Sequence, residues 1–377
     1  MSKPYCLLPF IHLHVGDRGQ VNACCVAKIP FGNINEQSLD EIWNGAAINN
    51  LRDKFLKGET DNRCEVCHKL EASGGESIRL ETFEKFKDLD TDNFDKYPVY
   101  FDIRFSNVCN FRCRTCWHGA SSRWFKDAKA LGTNIGEEAI ITNIQDFDYF
   151  ISNSKEALLN AQEFYFAGGE PLVTEEHYKL LEWLIDNNAT TARLRYNTNF
   201  SKLTFKHYKI LELWSHFPDV EILASIDASH ALGAYIRKDM VWNTIVENRE
   251  LLRPHSQIRF KIAPTISLLN VAHIPSLYLE CLTSGMIDKE DFYINILERP
   301  AYYNIQALPI EQKETIAQIY LEAMSDDQPV IINKSFQEIL DYMFAEDRSK
   351  HYATFLQKTN QLDTLRKEKF SDLKFND

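Results

Sequence analysis

Three cysteines, Cys109, Cys113 and Cys116, stand within eight residues as C-N-F-R-C-R-T-C. Thiolates this close make a metal or cluster site, and with nine cysteines in 377 residues the spacing C-x3-C-x2-C is rare by chance. Zinc usually takes a fourth protein ligand, for which only His118 is near. Three thiolates with one position left open suit an iron–sulfur cluster whose fourth iron binds something else. A second set comprises Cys6, Cys24, Cys25, Cys64 and Cys67, with Cys64-Glu65-Val66-Cys67 a chelating pair. Structural zinc and an iron–sulfur cluster are both open to it. Only one of the adjacent Cys24 and Cys25 can readily face a shared centre, because neighbours on an extended chain point to opposite sides. His12 and His14 alternate in IHLH and read as sheet-face residues; Cys281, in LYLECL, reads as a small core residue.

The other chemical motif is Gly168-Gly169-Glu170-Pro171. Two glycines let the backbone approach a ligand, and Glu170 supplies a carboxylate for an ammonium group. The same four residues also serve as an ordinary strand-to-helix turn.

Both motifs need a scaffold, and the alternation of short β-branched or aromatic runs with apolar three-to-four spacing supplies one. Strands are expected at 97–107, 163–167, 192–197, 220–226, 258–266 and 291–296, with helices at 174–187, 204–216, 240–252 and 274–284. Six strands joined by crossover helices imply right-handed βαβ units, in an open sheet or a full or partial barrel, with ligands at the carboxyl ends of the strands. Cys109–Cys116 follow the first of these strands and Gly168–Glu170 the second. The expected class is α/β, a partial (β/α)6 TIM-like barrel over 96–300, preceded by a small cysteine-rich domain over 1–95 and followed by a helical extension over 301–377. Residues 39–56 form the one convincing helical stretch before the barrel, 88–96 read as a linker, and the extension reads as a covering layer.

With GGEP on the strand next to the three-cysteine loop, the chain resembles the radical S-adenosylmethionine superfamily over roughly 97–297. That resemblance implies a [4Fe–4S] cluster on Cys109, Cys113 and Cys116 whose unique iron chelates S-adenosyl-L-methionine. It implies that Gly168, Gly169 and Glu170 bind the methionine ammonium, and that Asn197 in YNTN, Ser225 in SID and Arg237 in AYIRKD meet the ribose and carboxylate. Asp227, two residues after Ser225, faces the same way on its strand and is the expected catalytic contact to ribose or substrate; a strand-end turn carboxylate is the other reading. The residue before the third cysteine is commonly aromatic in that family, whereas here it is Thr115, with Trp117 as the substitute. The pattern C-x12-G-x4-C from Cys6 through Gly19 to Cys24, then GNINEQSLDEIWN and C-x2-C, resembles SPASM/twitch auxiliary-cluster modules. These usually follow the barrel; here the module precedes it. The likeness implies one auxiliary [4Fe–4S] cluster on Cys6, Cys24, Cys64 and Cys67, so two clusters in all, and favours Cys24 over Cys25.

The expected reaction is reductive cleavage of S-adenosylmethionine to a 5′-deoxyadenosyl radical that removes hydrogen from a substrate. A peptide or protein substrate is expected, with a small molecule as the alternative and an electron donor such as flavodoxin or ferredoxin as partner. A non-catalytic iron–sulfur or zinc scaffold is the reading from another class. A net charge of −12 argues against a protein that binds by neutralising nucleic-acid phosphates. No run of about 18 apolar residues and no secretory leader pattern occur, so a cytoplasmic setting is expected.

Overall fold

β-Branched and aromatic residues at alternate positions build the strands that matter here. In the computed structural model, which describes residues 5–72, 75–89, 96–325 and 328–370, the first strands are β1 (His12–Val15), β2 (Gln20–Asn22) and β3 (Pro30–Asn33). They are followed by β4 (Tyr100–Ile103), β5 (Glu163–Phe166) and β6 (Arg193–Thr198). The chain divides into two units. Residues up to 107, with 140–196 and 204–220, make the first; 108–139, 197–203 and those from 221 onward make the second. Eight strands form the mostly parallel main sheet, and the six in the first unit run in the order β6-β5-β4-β1-β2-β3. β1 pairs in parallel with β4, so the cysteine-rich N-terminal stretch shares a sheet with the strands of the expected barrel.

Register sorts the side chains of this sheet by face. Leu13, Phe101, Phe164 and Leu194 form one row, and Val15, Ile103, Phe166 and Tyr196 the next. All eight are fully buried. At about 1.5–3 kcal/mol per large apolar side chain, this layer holds the unit together. Helix Glu175–Asp186 presses His177 edge-on against Phe166, at 4.8 Å between ring centroids. The opposite face carries His12, Tyr100, Glu163 and Arg193 in one row and His14, Asp102, Tyr165 and Arg195 in the other. Helix Ile78–Lys85 reaches this polar face through ion pairs of Lys85 with Glu163 and of Arg195 with Glu81.

Several local expectations are corrected. The span 204–216 is not one helix: β7 (Thr204–Phe205) and β8 (Tyr208–Lys209) make a hairpin through Lys206 at positive φ, leaving helix Ile210–Trp214. The stretch 39–56 breaks into Leu39–Trp43 and Ala46–Leu56 at Gly45, where an added Cβ would fall 2.8 Å from the Glu41 carbonyl. Further helices, Glu65–Ala72 and Ile78–Lys85, precede β4. Most of the expected 88–96 linker lies outside the described residues.

In the second unit, β9 (Val220–Ala224, of which Val220 belongs to the first) is followed by β10 (Ile258–Ile262). The expected 258–266 strand is cut at Ala263-Pro264, after which β11 (Thr265–Ile266) pairs in parallel with β12 (Asn295–Ile296). Helices Ile310–Ala323, Val330–Ala345 and Tyr352–Arg366 form the C-terminal extension. No described helix is long and apolar enough to cross a membrane.

Burial keeps two histidines of the first unit neutral: desolvation pushes His12 down to about 4 and His177 down to about 3, against 6.5 unfolded. A depressed histidine favours the folded state fully above the unfolded value, and that contribution is lost as pH falls from about 6.5 through 4, by about 1.4 kcal/mol per pH unit for each group. Urea unfolding of His177→Gln should therefore show a shallower loss of stability between pH 6.5 and 4.5 than the unaltered chain.

Candidate functional site

In the second unit the three-cysteine loop is held as a short ladder. The N–H groups of Arg112 and Arg114 donate to the carbonyls of Lys238 and Ile236, at 3.2 and 2.7 Å, which sets Cys113 opposite Arg237. Arg237 Nη1 then reaches Cys113 Sγ at 3.9 Å. Its Nη2 donates to Asp227 Oδ1 at 2.9 Å, and its Nε lies 2.9 Å from Asp227 Oδ2. Burial alone would lower the pKa of Arg237, but the Asp227 carboxylate outweighs it and holds the guanidinium charged. Asp227 is fully buried, and its Oδ1 also accepts from the Thr265 N–H at 2.7 Å, so this carboxylate orients Arg237. The Phe111 N–H donates to Cys109 Sγ at 3.4 Å. Burial raises Cys113, which also feels Cys116 and Cys109. Thiols crowded in this way stay protonated unless a cationic centre stabilises the thiolates, as a cluster does.

The other predicted residues of this unit lie nearby in sequence order. Ser225 is half-buried with its N–H on the Thr198 carbonyl at 2.7 Å, and Asn197 is exposed at the end of β6. Trp117 is 59% exposed, its indole lying over Gly119, where any Cβ would collide with it. Sequence reasoning missed a closed ring of hydrogen bonds. Asn110 donates to Ser201 Oγ at 2.8 Å, Ser201 to Asn199 Oδ1 at 2.7 Å, and Asn199 back to Asn110 Oδ1 at 2.8 Å. It ties the cysteine loop to the turn after β6; the second asparagine of YNTN was the available signal.

Sequence reasoning also missed the way the C-terminal helix grips the loop. Arg114, between the second and third cysteines, has a fully buried side chain that pairs with Asp363 and, at 2.6 Å, with Glu368 Oε2. Its guanidinium carbon stands 3.5 Å from the Tyr235 ring centroid. Lys367 at φ 55° turns the chain back after the helix, which brings Glu368 to Arg114. Arg366 adds bonds to Asp127 Oδ2 at 2.9 Å and to the Arg112 carbonyl at 2.8 Å.

In the first unit, Gly168 and Gly169 both adopt positive φ, 78° and 55°, which only glycine takes without strain. A Cβ on Gly168 would fall 2.8 Å from that of Arg104. Glu170 is almost fully buried, and its Oε1 accepts the Leu172 N–H at 3.0 Å. Burial raises Cys6, Cys24 and Cys64, the last two to about 11; Cys64 next feels Asp61, and each of the three feels Cys67. Cys25, pushed up to about 12 chiefly by burial, feels Asp102 and Arg104 before any cysteine. The Ala27 N–H donates to Cys24 Sγ at 3.1 Å. Asp61, bound by Arg63 at 2.7 Å and Lys54 at 3.1 Å, fixes the turn before Cys64; Arg79 joins Glu71 to the Tyr5 carbonyl beside Cys6. Among the described residues no three His, Cys, Asp or Glu side chains stand close enough to hold a single metal ion. A four-iron cluster spreads its thiolates over separate irons.

Residues 6–69 match the family described as SPASM, iron–sulfur cluster-binding domain. That match agrees with the N-terminal resemblance and with an iron–sulfur cofactor. No curated protein sequence matches the chain. Among solved structures, native anSMEcpe with bound AdoMet is similar at 17% identity and a TM-score of 0.43, covering 60% of each chain. Native anSMEcpe with bound AdoMet and Cp18Cys peptide is similar at 16% identity and a TM-score of 0.41, covering 59% of this chain and 58% of that one. TYW1 with a lysine-pyruvate adduct bound is more distant, at 11% identity and a TM-score of 0.33, covering 59% and 70%. The chain thus spans under two thirds of the anSMEcpe structures.

Removing Arg114 takes the cation from buried Asp363, while Glu368 keeps Lys238, and breaking a buried ion pair from one side costs about 3–5 kcal/mol. Arg114→Met should lower the thermal midpoint and release iron from the Cys109–Cys116 loop, as measured by iron content and melting of the anaerobically purified protein. Asp363→Asn should be milder, because Glu368 stays on the guanidinium.

Proposed function

With a SPASM iron–sulfur cluster-binding domain at residues 6–69, we propose that the chain is a radical S-adenosylmethionine enzyme with one auxiliary cluster, acting on a peptide or protein. The observation that carries the proposal is the cysteine loop braced by Arg237 and Asp227, together with a GGE turn whose glycines both need positive φ. When bound, the reduced cluster and S-adenosylmethionine supply a 5′-deoxyadenosyl radical for hydrogen abstraction. The protein's part is to bind, orient and exclude water.

Cys109, Cys113 and Cys116 take the catalytic cluster. Arg237, oriented by Asp227, places a fixed positive charge beside the Cys113 sulfur, where it lowers the cost of thiolate charge and meets the cofactor carboxylate. In this assignment Asp227 is a positioning residue rather than a group that touches substrate. Glu170, whose Oε1 caps the turn after β5, is assigned to the methionine ammonium, with Gly168 and Gly169 giving the backbone close approach. Asn197 and Ser225 serve the ribose. Cys6, Cys24, Cys64 and Cys67 would hold the auxiliary cluster, which would supply an electron acceptor or a substrate-binding site. An external one-electron donor such as flavodoxin or ferredoxin completes the cycle.

Replacing Cys109, Cys113 and Cys116 together by Ala should abolish 5′-deoxyadenosine formation while about four irons remain on the N-terminal set; retained formation would end the proposal. Cys25→Ser should keep about eight irons per chain and Cys24→Ser roughly half of them, by iron and sulfide analysis. Glu170→Ala should weaken S-adenosylmethionine binding tenfold or more, since losing one partner of a charge-assisted bond in a dry site costs about 2–5 kcal/mol.

A further inference from the structure

Arg104 is the first residue after β4, and its N–H bonds to the Val15 carbonyl at 3.2 Å. It therefore stands at the carboxyl ends of parallel strands of the first unit, the end at which α/β sheets bind ligands. Asp102 lies behind it, its side chain 2% exposed. Oδ2 of Asp102 is 2.9 Å from His14 Nδ1, and Oδ1 accepts Arg104 Nε at 3.3 Å. The Arg104 side chain is 32% exposed and its stem runs along the backbone of Gly168.

Two observations separate this arrangement from a purely structural ion pair. The Asp102–Arg104 contacts, 3.3 and 3.4 Å, are long beside the 2.7–2.9 Å of a tight charge-assisted pair. Among the described residues, Arg104 Nη1 has no hydrogen-bond partner, so the guanidinium has donors to spare. The register row then places Tyr165 beside Asp102 and Arg195 beside Tyr165. The Arg195 guanidinium carbon is 5.9 Å from the Tyr165 ring centroid, and its Nη1 is held by Glu81 Oε1 at 2.8 Å. Burial keeps the Tyr165 phenol protonated, and its charged neighbours are Arg104, Asp102, Cys25 and Arg195. Two guanidiniums, each backed by a carboxylate, thus neighbour a phenol that stays protonated. A planar acceptor with two oxygens is the group that such a fork receives best.

We propose that Arg104 and Arg195, with Tyr165 between them, form a subsite for a carboxylate group of the substrate. This deepens the reading of the chain as a radical enzyme and rests on it: the substrate is a carboxylate-bearing molecule, for a peptide its C-terminus or an acidic side chain. Cys25 lies at the edge of the subsite, next in sequence to Cys24.

The test is equilibrium dialysis of radiolabelled glutarate against the anaerobically reconstituted full-length protein, with glutaramide as the neutral counterpart. Saturable binding of glutarate but not glutaramide is expected. Arg104→Gln should weaken it tenfold or more, Arg104→Lys and Tyr165→Phe less, and exposed Arg253→Gln not at all. Iron content and circular dichroism identify any variant that fails to fold; if Arg104→Gln does, the Arg104→Lys and Tyr165→Phe values decide. Absence of saturable glutarate binding, equal binding of glutaramide, or unchanged binding in a folded Arg104→Gln protein overturns the subsite. 5′-Deoxyadenosine formation is measured on the same samples. Cleavage without glutarate binding removes the subsite alone, and glutarate binding without cleavage removes the enzyme reading while the carboxylate site stands.

Discussion

A strand turns alternate side chains to opposite faces, and in β1, β4, β5 and β6 that alternation commits every second residue to a layer sealed from water. The apolar rows are in register across all four strands, so a slip by one residue in any of them would turn a polar side chain into the apolar layer and an apolar one out of it. The same constraint dictates the other face. Once Leu13, Phe101, Phe164 and Leu194 are fixed inward on the helices, His14, Asp102, Tyr165 and Arg195 have only one side on which to lie. The chemistry of the first unit is thereby collected at strand ends by apolar burial, with no need for the polar groups to attract one another.

Charges brought together in this way must be balanced locally, and the chain repeats one solution, of which three instances matter here. Arg104 with Asp102, Arg237 with Asp227 and Arg114 with Asp363 each set a guanidinium against a carboxylate that is nearly or fully buried. A charged pair in low dielectric contributes little net stability, but it fixes direction, since a planar fork held at one edge has few orientations left. Lysine would keep the charge and lose the direction. In each of the three the carboxylate lies deeper than the face the guanidinium presents, or, for Arg114, shares it with an aromatic ring that closes the remaining side.

Local pattern made much of this legible. The cysteine spacings, GGEP and the apolar strands at 163–166 and 220–224 depend on neighbours in sequence, and the structure places those strands where periodicity does. The failures have physical causes of two kinds. In 204–216, helical spacing of apolar residues was present, but Lys206 takes a left-handed conformation and the chain closes a hairpin instead. Arg114 and Asp363 meet across 249 residues, and the Asn110–Asn199–Ser201 ring joins loops about ninety residues apart. No window of sequence contains such pairs. The C-terminal helix showed why: read alone, it is a charged helix with a solvated face, and Asp363, like Glu368 just beyond its end, looks like any other surface acid until the fold brings Arg114 to it.

Cys24 and Cys25 carry the consequence furthest. Their Cα atoms are one peptide apart, about 3.8 Å, yet the first thiol feels Cys67 and Cys64 while the second feels Asp102 and Arg104. A single peptide unit therefore couples the N-terminal thiols to the polar face of the sheet. Movement of one must shift the other, because β2 anchors this turn to β1 and β1 is locked in register with β4. The placement of the cysteine module then has a structural reason: its first strand lies in the sheet between β4 and β2, and the turn that carries Cys24 is delivered to the polar face by the same ladder that aligns His14 with Asp102.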